Sequence, residues 1–309
     1  MNCTKRVSVM LASAAVLTSG AASAREGSLR TLAPTYAEEV AIAPDNMDLM
    51  GRWRGKICPR VTGLSEDQAQ YVADQIARRA REVGLKVRGE GCKSNISVFF
   101  VEDGTRLANA INKQDPATFQ YFPEPYVTTL GRRRLNSFMN DFRPVRWWHI
   151  GTVTDRSGRT LTGLNARNGA SPQNSTQRIS ESSFDATFEG VATNRQAEAT
   201  RLDKSTRNSF SQVFIIADTL RLDDKPLAEV ADYIAFVSLA QINPDAELGT
   251  APSILNLFDR SAAEASRPTE LSDLDKTYLD SLYSIDTLVT SSQQQARKIA
   301  DRMTSHLPE

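Results

Sequence analysis

Residues 53–101 read WRGKICPRVTGLSEDQAQYVADQIARRAREVGLKVRGEGCKSNISVFFV, and this stretch decides the fold class. Within it Val72, Ile76, Ala80 and Val83 recur at spacings of three and four, while Arg78, Arg79, Arg81 and Glu82 fall off that stripe. Such a period gives a helix one apolar face. Ser65 with Gln68 has the form of a capping box, and Gly84 supplies the stop. On either side the pattern turns strand-like, at residues 53–61, 85–87 and 95–101. Pro59 makes the first of these an edge strand or a strand end, since proline cannot donate to a ladder. The order is β-α-β-β, and the expected class is α+β, a mixed sheet with packed helices and a helical C-terminal part.

Working outward, residues 25–50 are mixed and turn-rich, with Pro34 and Pro44, and predict an extended lead-in. Residues 51–154 make an N-terminal α/β subdomain. Its later elements are a short helix at 104–112, an irregular aromatic segment at 116–126, a helix broken or bent by Gly131 over 126–142, and a strand at 145–154. Residues 155–205 are rich in Ser, Thr, Asn, Arg and Gly without aliphatic periodicity and read as a polar insertion or long loop. Residues 206–309 form a mainly helical subdomain that begins with a strand at 210–218. Its helix at 227–242 is apolar nearly all round, which belongs at the centre of a core. Ser272 caps a helix behind it, and residues 289–303 form the last.

The N-terminus has the three parts of an export signal. Lys5 and Arg6 precede an apolar stretch over residues 7–17, and Ala22-Ser23-Ala24 offers a peptidase site, so cleavage is expected after Ala24. Eleven residues span roughly 16 Å as a helix, against ~30 Å of hydrocarbon, which disfavours an anchor. Residues 1–24 are therefore read as a signal peptide, and the mature chain as periplasmic or secreted. Losing Lys5 and Arg6 and no acids takes 37 basic and 37 acidic residues to 35 and 37. A near-neutral chain carries no global signature for nucleic acid or an anionic membrane. No membrane span is expected after cleavage; the partner is read as an envelope protein or polymer.

Export also changes the reading of Cys58 and Cys92, the two cysteines left in the mature chain. An oxidising compartment favours a structural disulfide between them. The alternative, a redox pair, lacks the Cys-x-x-Cys spacing that lowers a thiol pKa.

Most familiar catalytic sets are missing. His149 and His306 are the only histidines, so no pair of ligands lies on one helix face. The expected metal and cofactor complement is none. There is no Gly-x-Ser-x-Gly elbow, no phosphate loop and no dinucleotide-binding turn. Asp223-Asp224, Glu102-Asp103 and Asp273 with Asp275 are acidic clusters with ready structural readings as turns, loops and first helical turns. Asp232 interrupts the apolar helix and demands a partner such as arginine if it faces inward. His149 and Asp232 are the candidate functional side chains. Arg132, Arg133 and Arg134, with Trp147 and Trp148, are a candidate basic-aromatic binding surface. A solvated helix end beside two core tryptophans is the competing reading.

Residues 230–241, SILNLFD at 253–259 and LSDLDKTYLDSLY at 271–283 follow one another in a way that resembles bacterial exported proteins related to the zincin-like metallopeptidases. NISVFFV at 95–101 is similar too. The likeness covers about 100 residues through short motifs. In that family a helix carries His-Glu-x-x-His; here the corresponding residues read ADYIAFVSLAQ. The resemblance implies a zincin-like scaffold without its metal, a pseudoenzyme, and carries over no functional residue. The expected function is non-catalytic binding of an envelope or extracellular partner, the alternative an envelope hydrolase using carboxylates or a site centred on His149.

Overall fold

The computed structural model of the chain describes residues 19–45, 47–119, 126–155, 160, 206–223, 225–285 and 289–307, and for 19–28 the backbone only. Its first element is helix α1 (Ser19–Val40), where the prolines had predicted an extended lead-in. Leu29, Ala33, Tyr36, Ala37 and Val40 are all buried, and their spacing is a helical stripe running past Pro34. Tertiary packing against the C-terminal helix thus outweighs the local cost of the proline. The helix end is closed from outside: the backbone N–H of Asn243 donates to Val40 O, and its side chain to Glu39 O.

Strand β1 (Pro59–Thr62) is shorter than expected and leads into α2 (Glu66–Glu82), which packs by Val72, Ile76 and Ala80. Residues 85–87 contribute a single parallel bridge, Ile57 to Val87, rather than a strand. Strand β2 (Ile96–Val101) pairs in parallel with β1. Gly63, at φ +92°, joins β1 to α2 where a Cβ would lie 1.9 Å from Phe100 O, so only glycine fits. Helix α3 (Gly104–Gln114), strand β3 (Val127–Thr128) and helix α4 (Gly131–Asn140) follow. The segment 126–142, expected as a helix broken or bent by Gly131, is broken there: a short strand precedes Gly131 and the helix begins at it. Of the aromatic segment, residues 120–125 lie outside the described residues.

Strand β4 (Val145–Asp155) and strand β5 (Thr206–Asp218) are antiparallel neighbours. Apart from Thr160, which bridges Thr154, the polar insertion between them lies outside the described residues. Helices α5 (Leu227–Leu239), α6 (Asp273–Ser284) and α7 (Ser292–His306) complete the order, with a 3-10 turn at Ile254–Phe258 between the first two.

The sheet runs β1-β2-β5-β4-β3, parallel across its first three strands and antiparallel across the rest. It is mixed, as expected for the α+β class. Alternation along the strands sends Ile96, Val98, Phe100, Val213, Ile215 and Trp147 to the large core beneath α2 and α5. Phe99, Phe214, Ile216, Trp148 and Ile150 face a smaller core beneath α3 and α4. Helix α5 is apolar all round because the sheet, α2, α6 and the 3-10 turn enclose it; all residues from Val230 to Leu239 are buried. Among the described residues, no helix is long and apolar enough to cross a membrane.

Cys58 and Cys92 form a disulfide, with Cα atoms 6.2 Å apart. It ties the residue before β1 to the approach to β2, and the Cys58 N–H donates to Asn95 Oδ1 at 2.6 Å.

Candidate functional site

Asp232 lies on the face of α5 turned towards α2, and its two oxygens are fully engaged. Oδ1 accepts from Arg79 Nε at 2.8 Å and from Gln75 Nε2; Oδ2 accepts from Arg79 Nη2 at 2.6 Å and from the Leu271 N–H at 3.2 Å. Arginine is the partner that burial demanded. Desolvation opposes the Asp232 charge, yet the bonds from Arg79 and Gln75, with the Arg79 charge, hold its pKa below the usual carboxylate value. Arg79 reaches outward to Glu82 at 3.0 Å and Glu270 at 3.4 Å. A cavity of about 260 Å³ opens beyond it, bordered by Arg79, Leu271 and Lys276. Asp232 does not line this cavity: the arginine closes it off.

His149, on β4, points into the same core. Its Nε2 donates to Val237 O at 2.8 Å, since a carbonyl can only accept. The ring stacks on Phe210 with centroids 4.7 Å apart. Burial lowers its pKa to about 4, the Val237 bond offsetting only part of that effect. Among the described residues Nδ1 has no partner. Asp232 and His149 are thus not brought together; each is spent on packing α5.

The fold buries the aromatic part of the basic-aromatic stretch: Trp147 and Trp148, with Arg134, Arg143 and Arg146, border a cavity of only about 20 Å³. Trp147 and Trp148 are 8% and 1% exposed, and their Nε1 groups donate to Ile242 O and Phe119 O. Neither offers an open face for stacking, which agrees with the reading of two core tryptophans beside a solvated helix end: strand alternation sends the rings into the two cores. Arg134 and Arg143 both pair with Asp245, while Arg132 and Arg133 are exposed. Arg146 is buried and donates through Nη1 to Phe138 O and Met139 O, both at 3.0 Å, closing the last turn of α4. Desolvation lowers its pKa, and the charges of Asp218, Asp103 and Asp141 partly restore it.

Asp103 and Asp275 take structural roles of the kind their positions suggested. Asp103 caps α3, accepting from the Arg106 N–H at 2.8 Å. Asp275 completes a capping box with Ser272. It also accepts from Tyr36 Oη at 2.5 Å, Ser253 Oγ at 2.6 Å and the Ile254 N–H at 2.8 Å, joining α1, the 3-10 turn and α6. Burial raises its pKa despite these bonds. Among the described residues, no group of three or more His, Cys, Asp and Glu is placed to hold a metal ion.

One feature of the surface was not anticipated. Asp223, Lys225, Leu257, Phe258, Arg260 and Arg267 line a cavity of about 380 Å³ between the turn before α5 and the segment after the 3-10 turn. Arg260 grips Asp223 through two bonds, Nη2 to Oδ1 at 2.7 Å and Nε to Oδ2 at 3.2 Å. Those bonds hold the Asp223 carboxyl below its usual range. Asp223 sits at φ +51°, and Asp224 lies outside the described residues. The three cations are separated by 34 and 6 residues in the chain, so no local motif announces them.

Comparisons with protein families, curated proteins and solved structures find no match to this chain.

Proposed function

We propose that the chain is an exported binding protein, held together by its disulfide, that engages an envelope or extracellular partner without catalysis. The observation that carries this reading is the occupation of its two best acid-base candidates. Asp232 and His149 are 2% and 1% exposed, and each is committed to a neighbour on another element of the core. A general acid or base must reach the proton it transfers. Neither side chain has that access, so a hydrolase reading gains nothing from them.

One feature supports export, and a second is compatible with it. A formed Cys58–Cys92 bond fits an oxidising compartment. Cleavage after Ala24 would leave Leu29, Ala33, Tyr36, Ala37 and Val40, the buried side chains described on α1, in place. The likeness to zincin-like scaffolds belongs to the same proposal, with α5 as a central helix whose interior positions carry no histidine.

The test uses full-length chain expressed in a bacterial host. The periplasmic fraction should contain protein beginning at Arg25, with no free thiols. Assays against peptidoglycan, casein and nitrophenyl esters should show no turnover, and added zinc should leave Tm unchanged. Turnover abolished by Asp232→Asn at unchanged stability would overturn the binding reading, and protein retained in the cytoplasm would overturn export.

A further inference from the structure

We propose that the cavity framed by Lys225, Arg260 and Arg267 binds a small organic anion, an oxyanion carried on an apolar body. This deepens the binding reading above and rests on it.

Charge is the first argument. Among the described lining residues three cations meet one carboxylate, Asp223. Asp259 lies outside the lining, with its carboxylate on the N–H and hydroxyl of Ser261 at 2.8 and 2.7 Å, but its charge also acts on Arg267, so the excess is one cation. Two guanidiniums and an ammonium around one space form an arrangement suited to a planar or tetrahedral oxyanion, since a guanidinium offers paired donors to adjacent oxygens.

The second argument is unfilled donor capacity. Arg267 Nε is enclosed by protein yet has no hydrogen-bond partner among the described residues. That atom faces protein, so a ligand in the cavity would meet Arg267 through the rest of its guanidinium, whose further N–H groups remain as donors. By contrast, Arg260 is held by Asp223 in an exposed pair, of the kind that contributes little and exchanges readily. An incoming oxyanion can replace that carboxylate.

The third argument is the wall. Leu257 and Phe258 give the cavity an apolar side. Phe258 is fixed edge-on against Tyr233 at 5.3 Å, and Tyr233 against Trp147 at 6.1 Å, so this side is anchored in the core. The volume, about 380 Å³, is in the range of small-molecule sites. Helix α5 starts two residues beyond Lys225 with no side-chain cap, adding the positive end of its dipole.

Calorimetric titration with p-nitrophenyl phosphate, inorganic phosphate and p-nitrobenzyl alcohol separates oxyanion from ring. The phosphate ester should bind, inorganic phosphate should bind about tenfold more weakly, and the neutral alcohol should not bind detectably. Arg267→Gln and Lys225→Gln, at unchanged Tm, should each weaken the ester about tenfold. Asp223→Asn removes the competing carboxylate and keeps a residue that tolerates positive φ, so it should tighten binding severalfold. That gain is a result a merely structural role does not give. No binding of the ester, or binding untouched by both cation substitutions, overturns the site and leaves the non-catalytic reading standing. Release of p-nitrophenolate overturns that reading and leaves the site standing.

Discussion

Arg79 on α2 and Asp232 on α5 form a two-point ion pair inside the core, with Nη2 to Oδ2 at 2.6 Å and Nε to Oδ1 at 2.8 Å. It pins the central helix to the helix the sequence specifies most clearly. Removing one partner leaves the other charge buried, at a cost of about 3–5 kcal/mol, whereas replacing both with apolar side chains is far milder. Asp232→Ala should therefore lose about that much stability in urea unfolding, and Arg79→Met/Asp232→Leu should recover most of it. A double variant no more stable than Asp232→Ala would show that Glu82 and Glu270, not burial, set the cost.

His149 gives the chain a pH dependence of known sign. Burial lowers its pKa from 6.5 to about 4, so over that interval the unfolded chain takes up a proton that the folded chain refuses. The stabilisation is complete above pH 6.5, falls as pH drops towards 4, and is gone below that. At ~1.4 kcal/mol per pH decade the loss is about 3 kcal/mol. Asp275, whose pKa burial raises, works in the opposite direction. The quantity to measure is thus the difference between wild type and His149→Gln from pH 7 to 4, which should shrink by about that amount. A constant difference would mean that the ring is not sealed from water.

The Cys58–Cys92 bond closes a loop of sequence separation 34. On the chain-entropy account, its loss in Cys58→Ser/Cys92→Ser costs roughly 3–4 kcal/mol. For a chain of this size that is a fall in Tm of about 10 °C by calorimetry. A fall of only about 2 °C would indicate that the unfolded chain already keeps these segments close.

Gly63 and Gly91 both have positive φ, +92° and +69°, but only at Gly63 would a Cβ collide with backbone, at Phe100 O. Gly63→Ala should cost about 1–3 kcal/mol more than Gly91→Ala. Equal costs would show that φ alone explains both.

Much of this was legible in the residues. The stripe of Val72, Ile76 and Ala80, the apolar helix around Ile234, the capping residue Ser272 and the central strands all appear close to where their patterns place them. The disulfide followed from the expected compartment and the cysteine number, and the demand of Asp232 for arginine followed from burial. Helix α1 was hidden because Pro34 and Pro44 signal turns, while its helix-making contacts lie with α7 at the other end of the chain. The tryptophan pair was misleading as a surface, because adjacent strand residues point to opposite faces and both faces here are covered.

The sequence by itself determined the mixed class, most of the local elements, the expectation of export and the scarcity of catalytic residue types, all set by short-range periodicity and composition. Only the tertiary structure decided that Arg79 is the arginine Asp232 needs, that His149 serves packing, and that Lys225, Arg260 and Arg267 share one cavity. Those outcomes depend on which distant segments the fold brings within a few ångströms, and local chain chemistry does not encode such distances.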